Sequence, residues 1–339
     1  MIFFYSYLLL VTLLSLIFKK KGIFLNYSGD THQSFSNKKN VPLAGGFFIL
    51  IPIIFFLNNF FINCFVVLIY LIGFFSDRKV LVSPKIRFLI QCLLILLFVI
   101  IFDIKINSSR VALFDIILNN KIFSIFFSAF CLLIIINGSN FIDGLNGLLI
   151  SLSIIVLFVL NKLNLVDNSV ISDQSINLII FILLLLLLLN AFNVLMLGDS
   201  GAYLLGFFMG FIIISSHMKN PDISPYFFIS LIWYPCFENL FSIIRKLNRE
   251  FSPLKPDSKH LHQLIFFFLT KKFDLKLVLS NNVSSGIICF FNFLIIYISS
   301  LNPSGTIFQI KLITTSIIFY IVSYMILFKF YKSSLISKK

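Results

Sequence analysis

Asp143 and Asp199 are the residues best placed to do chemistry. They stand in Asn137-Gly138-Ser139-Asn140-Phe141-Ile142-Asp143-Gly144-Leu145-Asn146-Gly147 and in Met196-Leu197-Gly198-Asp199-Ser200-Gly201. Each carboxylate lies where a long apolar stretch meets a glycine-rich turn. The chain has only 13 acidic residues, so carboxylates kept at such boundaries need a reason. A divalent cation and a diphosphate would supply one. Mg²⁺ takes one or two carboxylates, keeps several waters and completes its octahedron with phosphate oxygens. Asp77, Asp143 and Asp199 are enough to hold it. The glycines beside them would let backbone approach phosphate closely and free N–H groups at helix starts. His260 and His262, with a run of Arg and Lys, would hold the negative charge of the diphosphate. Metal plus cationic clamp suits phosphoryl transfer, which needs positioning and charge stabilisation more than covalent chemistry.

The elements that must position these groups are apolar helices. The chain is 59% hydrophobic and 12% charged. Only long helices or closed barrels satisfy their own backbone in lipid, so such a chain reads as a polytopic all-α membrane protein. Spans are expected near 2–18, 43–57, 60–75, 86–102, 122–137, 148–161, 177–196, 201–216, 225–244, 284–300 and 308–328, about 11 in all, forming a single domain over 1–339. The first span is followed, not preceded, by its basic cluster Lys19-Lys20-Lys21 and reads as a retained signal anchor. The five cysteines lie within apolar stretches without a Cys-x-x-Cys and read as packing residues.

The net charge of +14 is explained by orientation rather than by a nucleic-acid partner. Of 27 Lys and Arg, 21 fall in alternate loops, chiefly 19–42, 76–87, 245–276 and 329–339. The positive-inside rule then puts the N-terminus outside and the C-terminus in the cytoplasm. On this topology the segments 19–42, 76–87, 137–147, 197–201 and 245–276 share one cytoplasmic face. The two around Asp143 and Asp199 carry no Lys or Arg, so they were not built for orientation. A site at the bilayer boundary suggests one lipid substrate and one aqueous substrate.

These segments resemble the polyprenyl-phosphate N-acetylhexosamine-1-phosphate transferase family, over roughly 25 to 275 and in that family's motif order. The pair formed by the Asp143 motif and Gly198-Asp199-Ser200-Gly201, about 55 residues later, is specific. Ser252-Pro253-Leu254-Lys255-Pro256-Asp257-Ser258-Lys259-His260-Leu261-His262 is similar to the histidine loop of the branch that primes O-antigen, enterobacterial common antigen and teichoic acid synthesis. The run of three histidines typical of the peptidoglycan branch is missing. The resemblance implies transfer of a sugar 1-phosphate from a UDP-N-acetylhexosamine, most commonly UDP-GlcNAc, to undecaprenyl phosphate in the bacterial cytoplasmic membrane, with release of UMP. It implies Mg²⁺, or Mn²⁺ in its place, on Asp199 with Asp143, and leaves room for a homodimer. It also implies that Asn140, Asn146 and Asn190 line the nucleotide site, that His260 and His262 contact the diphosphate, and that Lys39, Arg245 and Arg249 bind substrate.

Several positions depart from the family pattern. Its Asp-Asp pair reads Ser76-Asp77 here, so the base proposed to deprotonate the lipid phosphate has no obvious owner, unless Asp77 does both jobs. A phosphomonoester is mostly dianionic at pH 7, which makes such a base dispensable. Asn146 and Glu238 stand where Asp is usual, and Gln263 replaces a histidine.

Plainer readings stand beside these. Asp199 between glycines at a helix start could be an N-cap. Asp77 beside Arg78 and Lys79 could be a surface ion pair. Glu238, an acid inside a span, is a functional candidate by default, or a partner for Arg245 at the helix end. His217 reads as having no role, and Asp103, Asp115, Asp167, Asp173 and Asp222 as solvated loop residues on the opposite face. A secondary transporter is the competing class, but it calls for broken helices or midplane charges and an inverted repeat, none of which is legible. A degenerate, inactive paralogue is the third reading, suggested by Ser76, Asn146 and Gln263.

Overall fold

A computed structural model describes residues 2–25, 41–247 and 259–336. Fourteen helices are described: α1 Ile2–Lys21, α2 Gly45–Phe56, α3 Phe60–Asp77, α4 Pro84–Ile101, α5 Ala112–Leu118, α6 Lys121–Ile142, α7 Leu148–Lys162, α8 Asp173–Ala191, α9 Gly198–Lys219, α10 Pro225–Leu231, α11 Trp233–Leu247, α12 Leu261–Lys272, α13 Leu277–Ser300 and α14 Thr306–Ile336. Each expected apolar stretch but that over 225–244 falls on one of them, and no strand appears among the described residues. Seven helices (α3, α4, α6, α8, α9, α13 and the bulk of α14) are long and apolar enough to cross a membrane. This is a multi-pass, all-helical membrane protein.

The stretch expected as one span over 225–244 is two helices. α10 and α11 meet at Ile232 and bend by 77°. The chain therefore does contain a broken helix, which its apolar pattern concealed, because hydropathy is blind to a change of direction. Helix α12 inside the histidine loop was likewise not expected.

Helix α9 is the centre of the bundle. It is buried from Ser200 to Ser216 and packs against α2, α3, α6 and α7. A helix apolar on all sides must sit inside others. Small residues set the distance: a Cβ on Gly73 would lie 2.4 Å from Ser200 Cα, so α3 and α9 touch backbone to backbone. Among loops, Pro42-Leu43-Ala44-Gly45 runs alongside Met196, with Met196 N–H on Pro42 O at 2.9 Å and Gly45 N–H on Met196 O at 2.9 Å. This pairing sets the entry to α2 against the entry to α9.

The far end of the bundle is closed by Arg110. Its guanidinium donates to Ser304 O, Thr306 Oγ1, Pro221 O and Asp222 O, tying three loops together. Asp115 accepts from Ser108 and Ser109, and Asp167 from Ser169 and Lys219, so both are engaged locally. All five cysteines are free thiols.

Candidate active site

Four helix ends converge on Asp199: the last turn of α3, the first turn of α4, the last turn of α6 and the first turn of α9. Asp199 Oδ2 accepts from Ser76 Oγ at 2.5 Å and from Arg87 Nη1 at 2.7 Å. Its Oδ1 accepts from Asn140 Nδ2 at 2.9 Å. Arg87 also donates to Ser76 Oγ. Ser76, standing where a relative would have a second carboxylate, is thus a donor to Asp199 and leaves Arg87 to that one acid.

Asp77 has a different task. Its Oδ1 and Oδ2 accept the backbone N–H groups of Asp199 (2.8 Å) and Ser200 (3.0 Å). Those are two of the unpaired donors at the start of α9, and a carboxylate there is favoured by the helix dipole. Asp77 is therefore a cap on α9 supplied from α3, not a partner of Arg78, whose guanidinium lies over the rings of Phe24 and Phe74. The expectation that these α9 N–H groups are open to phosphate is corrected: Asp77 already holds two of them. Gly198 makes the arrangement possible. Its φ of +74° lies in the left-handed region, and a Cβ there would come within 2.6 Å of Asp77 Oδ2.

The end of α6 links this cluster to the histidine loop. Asn140 binds Asp199, and the next residue, Phe141, packs on His260 with ring centroids 5.4 Å apart. Lys246 Nζ lies 5.6 Å from the Phe141 ring. Asp143 is the half-buried C-cap residue of α6, its N–H on Ser139 O. His262 is buried, stacks on His260 at 5.5 Å, and lies so close to Gly144 that a Cβ there would come within 2.7 Å of its Nε2. The sequence-distant motifs around Asp77, Asp143, Asp199 and His260 are thus joined through contacts.

The asparagines act on the turns. Asn146 donates its N–H to Asn281 Oδ1 and its amide to Asn193 Oδ1 and Asn282 Oδ1, joining the α6–α7 and α8–α9 turns to α13. Asn190 gives its amide to Leu195 O and Met196 Sδ, within its own turn before Asp199. Arg245 is buried and reaches Tyr324 Oη, Ser242 Oγ and the Lys259 carbonyl. Glu238, read either as a functional acid or as a partner for Arg245, bonds His260 and Tyr320. Lys39 and Arg249 lie outside the described residues.

Arg87 is the site residue that sequence reasoning missed. In a basic loop its charge reads as an orientation signal. A readable signal existed: a cation near the start of a helix opposes the macrodipole, so Arg87, three residues after Pro84, needed an anionic partner.

A divalent cation fits this cluster through one carboxylate. Asp199 keeps 33% of its side-chain surface exposed, and one carboxylate plus substrate phosphates is an ordinary Mg²⁺ arrangement. Asp77 is committed to the helix start, and among the described residues no group of three or more His, Cys, Asp or Glu is gathered to hold a metal. An ion reaching Asp199 Oδ2 meets Arg87 first. Arg87→Gln is therefore expected to tighten Mn²⁺ binding about fivefold, the equivalent of ~1 kcal/mol for a partly exposed pair. Titration followed by electron paramagnetic resonance reads this directly, and an unchanged affinity would show that Arg87 does not compete.

Fold and site together define a class: a multi-pass helical membrane protein with an anion-and-cation cluster at its helix ends. Residues 59–217 match the model of glycosyl transferase family 4. It is 26% identical over 242 residues to the undecaprenyl-phosphate alpha-N-acetylglucosaminyl 1-phosphate transferase of Escherichia coli O157:H7, covering 66% of this chain and 65% of that protein. The protein of the same name from Salmonella typhi is 25% identical over 243 residues, with the same coverage. The phospho-N-acetylmuramoyl-pentapeptide-transferase of Dictyoglomus turgidum is 30% identical over 203 residues, covering 56% of this chain and 64% of that one. The chain thus spans about 65% of the length of the first two curated relatives.

Proposed function

We propose that the protein transfers N-acetylhexosamine 1-phosphate from a UDP-sugar, UDP-GlcNAc foremost, to undecaprenyl phosphate. UMP is released, and the lipid-linked product begins a cell-surface polysaccharide. The reading places the protein in a bacterial cytoplasmic membrane, with about 11 spans and the site on the cytoplasmic face. The observation that carries it is the convergence of four helix ends on Asp199, with the histidine loop joined to the same point through Phe141.

In this reading an oxygen of the lipid phosphate attacks the β-phosphorus of the UDP-sugar. The bond from that phosphorus to the bridging oxygen breaks, and its electron pair leaves with UMP. The attacking phosphate is mostly dianionic at neutral pH, so no base has to take a proton. That agrees with Ser76, which is not a base, and with Asp77, whose two oxygens are held by backbone N–H groups. The same bonds argue against Asp77 as the nucleophile of a covalent phospho-enzyme. Bound Mg²⁺ would neutralise charge on the departing phosphate, with Asp199 as its protein ligand and Asp143 as the nearby acid of the nucleotide site. His260, His262 and Lys246 would supply positive charge to the diphosphate, and Arg87 would be available to it once off Asp199.

A secondary transporter gains one supporting feature, the bend between α10 and α11 with Glu238 buried beside it. The family match and the named relatives favour the transferase. Purified protein in lipid nanodiscs, given Mg²⁺, undecaprenyl phosphate and a panel of UDP-N-acetyl sugars, is expected to release UMP with one donor preferred. Absence of UMP release with every donor, together with substrate flux in vesicles, would overturn the reading.

A further inference from the structure

Glu238 is an acid with no part in the chemistry above, yet it is wholly buried in α11. Burying an isolated carboxylate is costly unless it is paired and hydrogen-bonded. Here both oxygens are satisfied. Oε1 lies 2.9 Å from His260 Nδ1, and Oε2 accepts from Tyr320 Oη at 2.7 Å. Tyr320 comes from α14 and is itself buried, 1% exposed. His260 is fixed from its other sides as well. It is the N-cap residue of α12, its N–H donates to Gln263 Oε1 at 3.1 Å, and its ring lies between Phe141 and His262. A carboxylate accepts hydrogen bonds and has none to give, so the proton at this contact belongs to His260 Nδ1.

We propose that Glu238, held by Tyr320, is a positioning residue that keeps a proton on His260 Nδ1 and aims Nε2 at a phosphate oxygen of the donor, to which Nε2–H donates when the ring is protonated. It plays the part a carboxylate plays behind a working histidine elsewhere: it sets the ring's orientation and tautomer. This rests on His260 contacting the diphosphate. It also gives α14, far along the chain from every motif of the site, a role in the reaction through one hydroxyl group.

The test uses the full-length protein in nanodiscs with ¹⁵N-labelled histidine. The His260 signals are identified by their loss in His260→Asn. The wild type is expected to show a proton on His260 Nδ1. Glu238→Gln offers the ring both a donor and an acceptor, so His260 is expected to lose its single tautomer and turnover to fall about tenfold to a hundredfold. Glu238→Asp, which returns a carboxylate, is expected to restore part of the rate. Tyr320→Phe removes only one hydroxyl group, tests the same link with little risk to folding, and is expected to slow turnover about tenfold or less. A bare Nδ1 in the wild type, or Glu238→Gln or Tyr320→Phe turning over at the wild-type rate, would overturn the proposal. Should the wild type release no UMP with any donor, the transferase reading falls, while the spectrum still decides which nitrogen carries the proton.

Discussion

Asp199→Asn is expected to lower UMP release about 10³-fold, the scale seen when a preorganised group that stabilises transition-state charge is removed. The substitution keeps the shape of the side chain but removes its charge. Asn140 can still donate to the remaining oxygen, so the helix ends should stay together. Arg87, however, loses the carboxylate that its Nη1 meets at 2.7 Å, and a divalent cation loses its protein ligand. Steady-state UMP release measures the effect, and an unchanged thermal melt certifies the fold. Wild-type turnover in Asp199→Asn would remove the centre of the proposed site. The double variant Arg87→Gln with Asp199→Asn adds a second reading. Residues in direct contact should couple, so its rate should fall less than the two single losses combined.

Gly198→Ala is expected to be the most destabilising single change near the site. An L-residue in the left-handed region costs ~1–2 kcal/mol. The new Cβ would come within 2.6 Å of Asp77 Oδ2 and push that carboxylate off the start of α9. Each hydrogen bond lost there is worth about 1 kcal/mol, so the whole change amounts to ~3–4 kcal/mol. Asp77→Ala isolates the capping part and should cost about 2 kcal/mol or less. Thermal unfolding in nanodiscs should rank the wild type above Asp77→Ala and Asp77→Ala above Gly198→Ala. Equal melting temperatures for Gly198→Ala and the wild type would show that α9 does not depend on this turn. Turnover should fall in both variants, since Asp199 is the residue whose N–H the cap holds.

The two predictions rest on unequal amounts of sequence information. Asp199 was legible as a candidate because a charged residue between glycines at the end of an apolar run contradicts its surroundings. The capping role of Asp77 was not. Beside Arg78 and Lys79 it looks like a surface ion pair, and its actual partners are backbone atoms more than 120 residues away. Arg87 was hidden for a related reason: in a basic chain one more cation in a loop looks like an orientation signal. Glu238 stood out as an acid inside an apolar stretch, but its partners did not, because Arg245 is nearer in sequence than His260 or Tyr320.

The sequence by itself determined that this chain is a helical membrane protein, since hydropathy acts residue by residue and needs no partner. It also determined which turns are chemically unusual, and through their motifs a resemblance to one family. Tertiary structure decided what those turns do. It divided two neighbouring acids into a capping carboxylate and a site carboxylate, made Ser76 a donor to Asp199, broke the span at Ile232, and set Tyr320 behind Glu238 and His260. Those outcomes depend on which helix ends meet, and that follows from the close packing of α3 and α6 on α9. Composition and periodicity carry the solvent preference of each helix but not the identity of its neighbours.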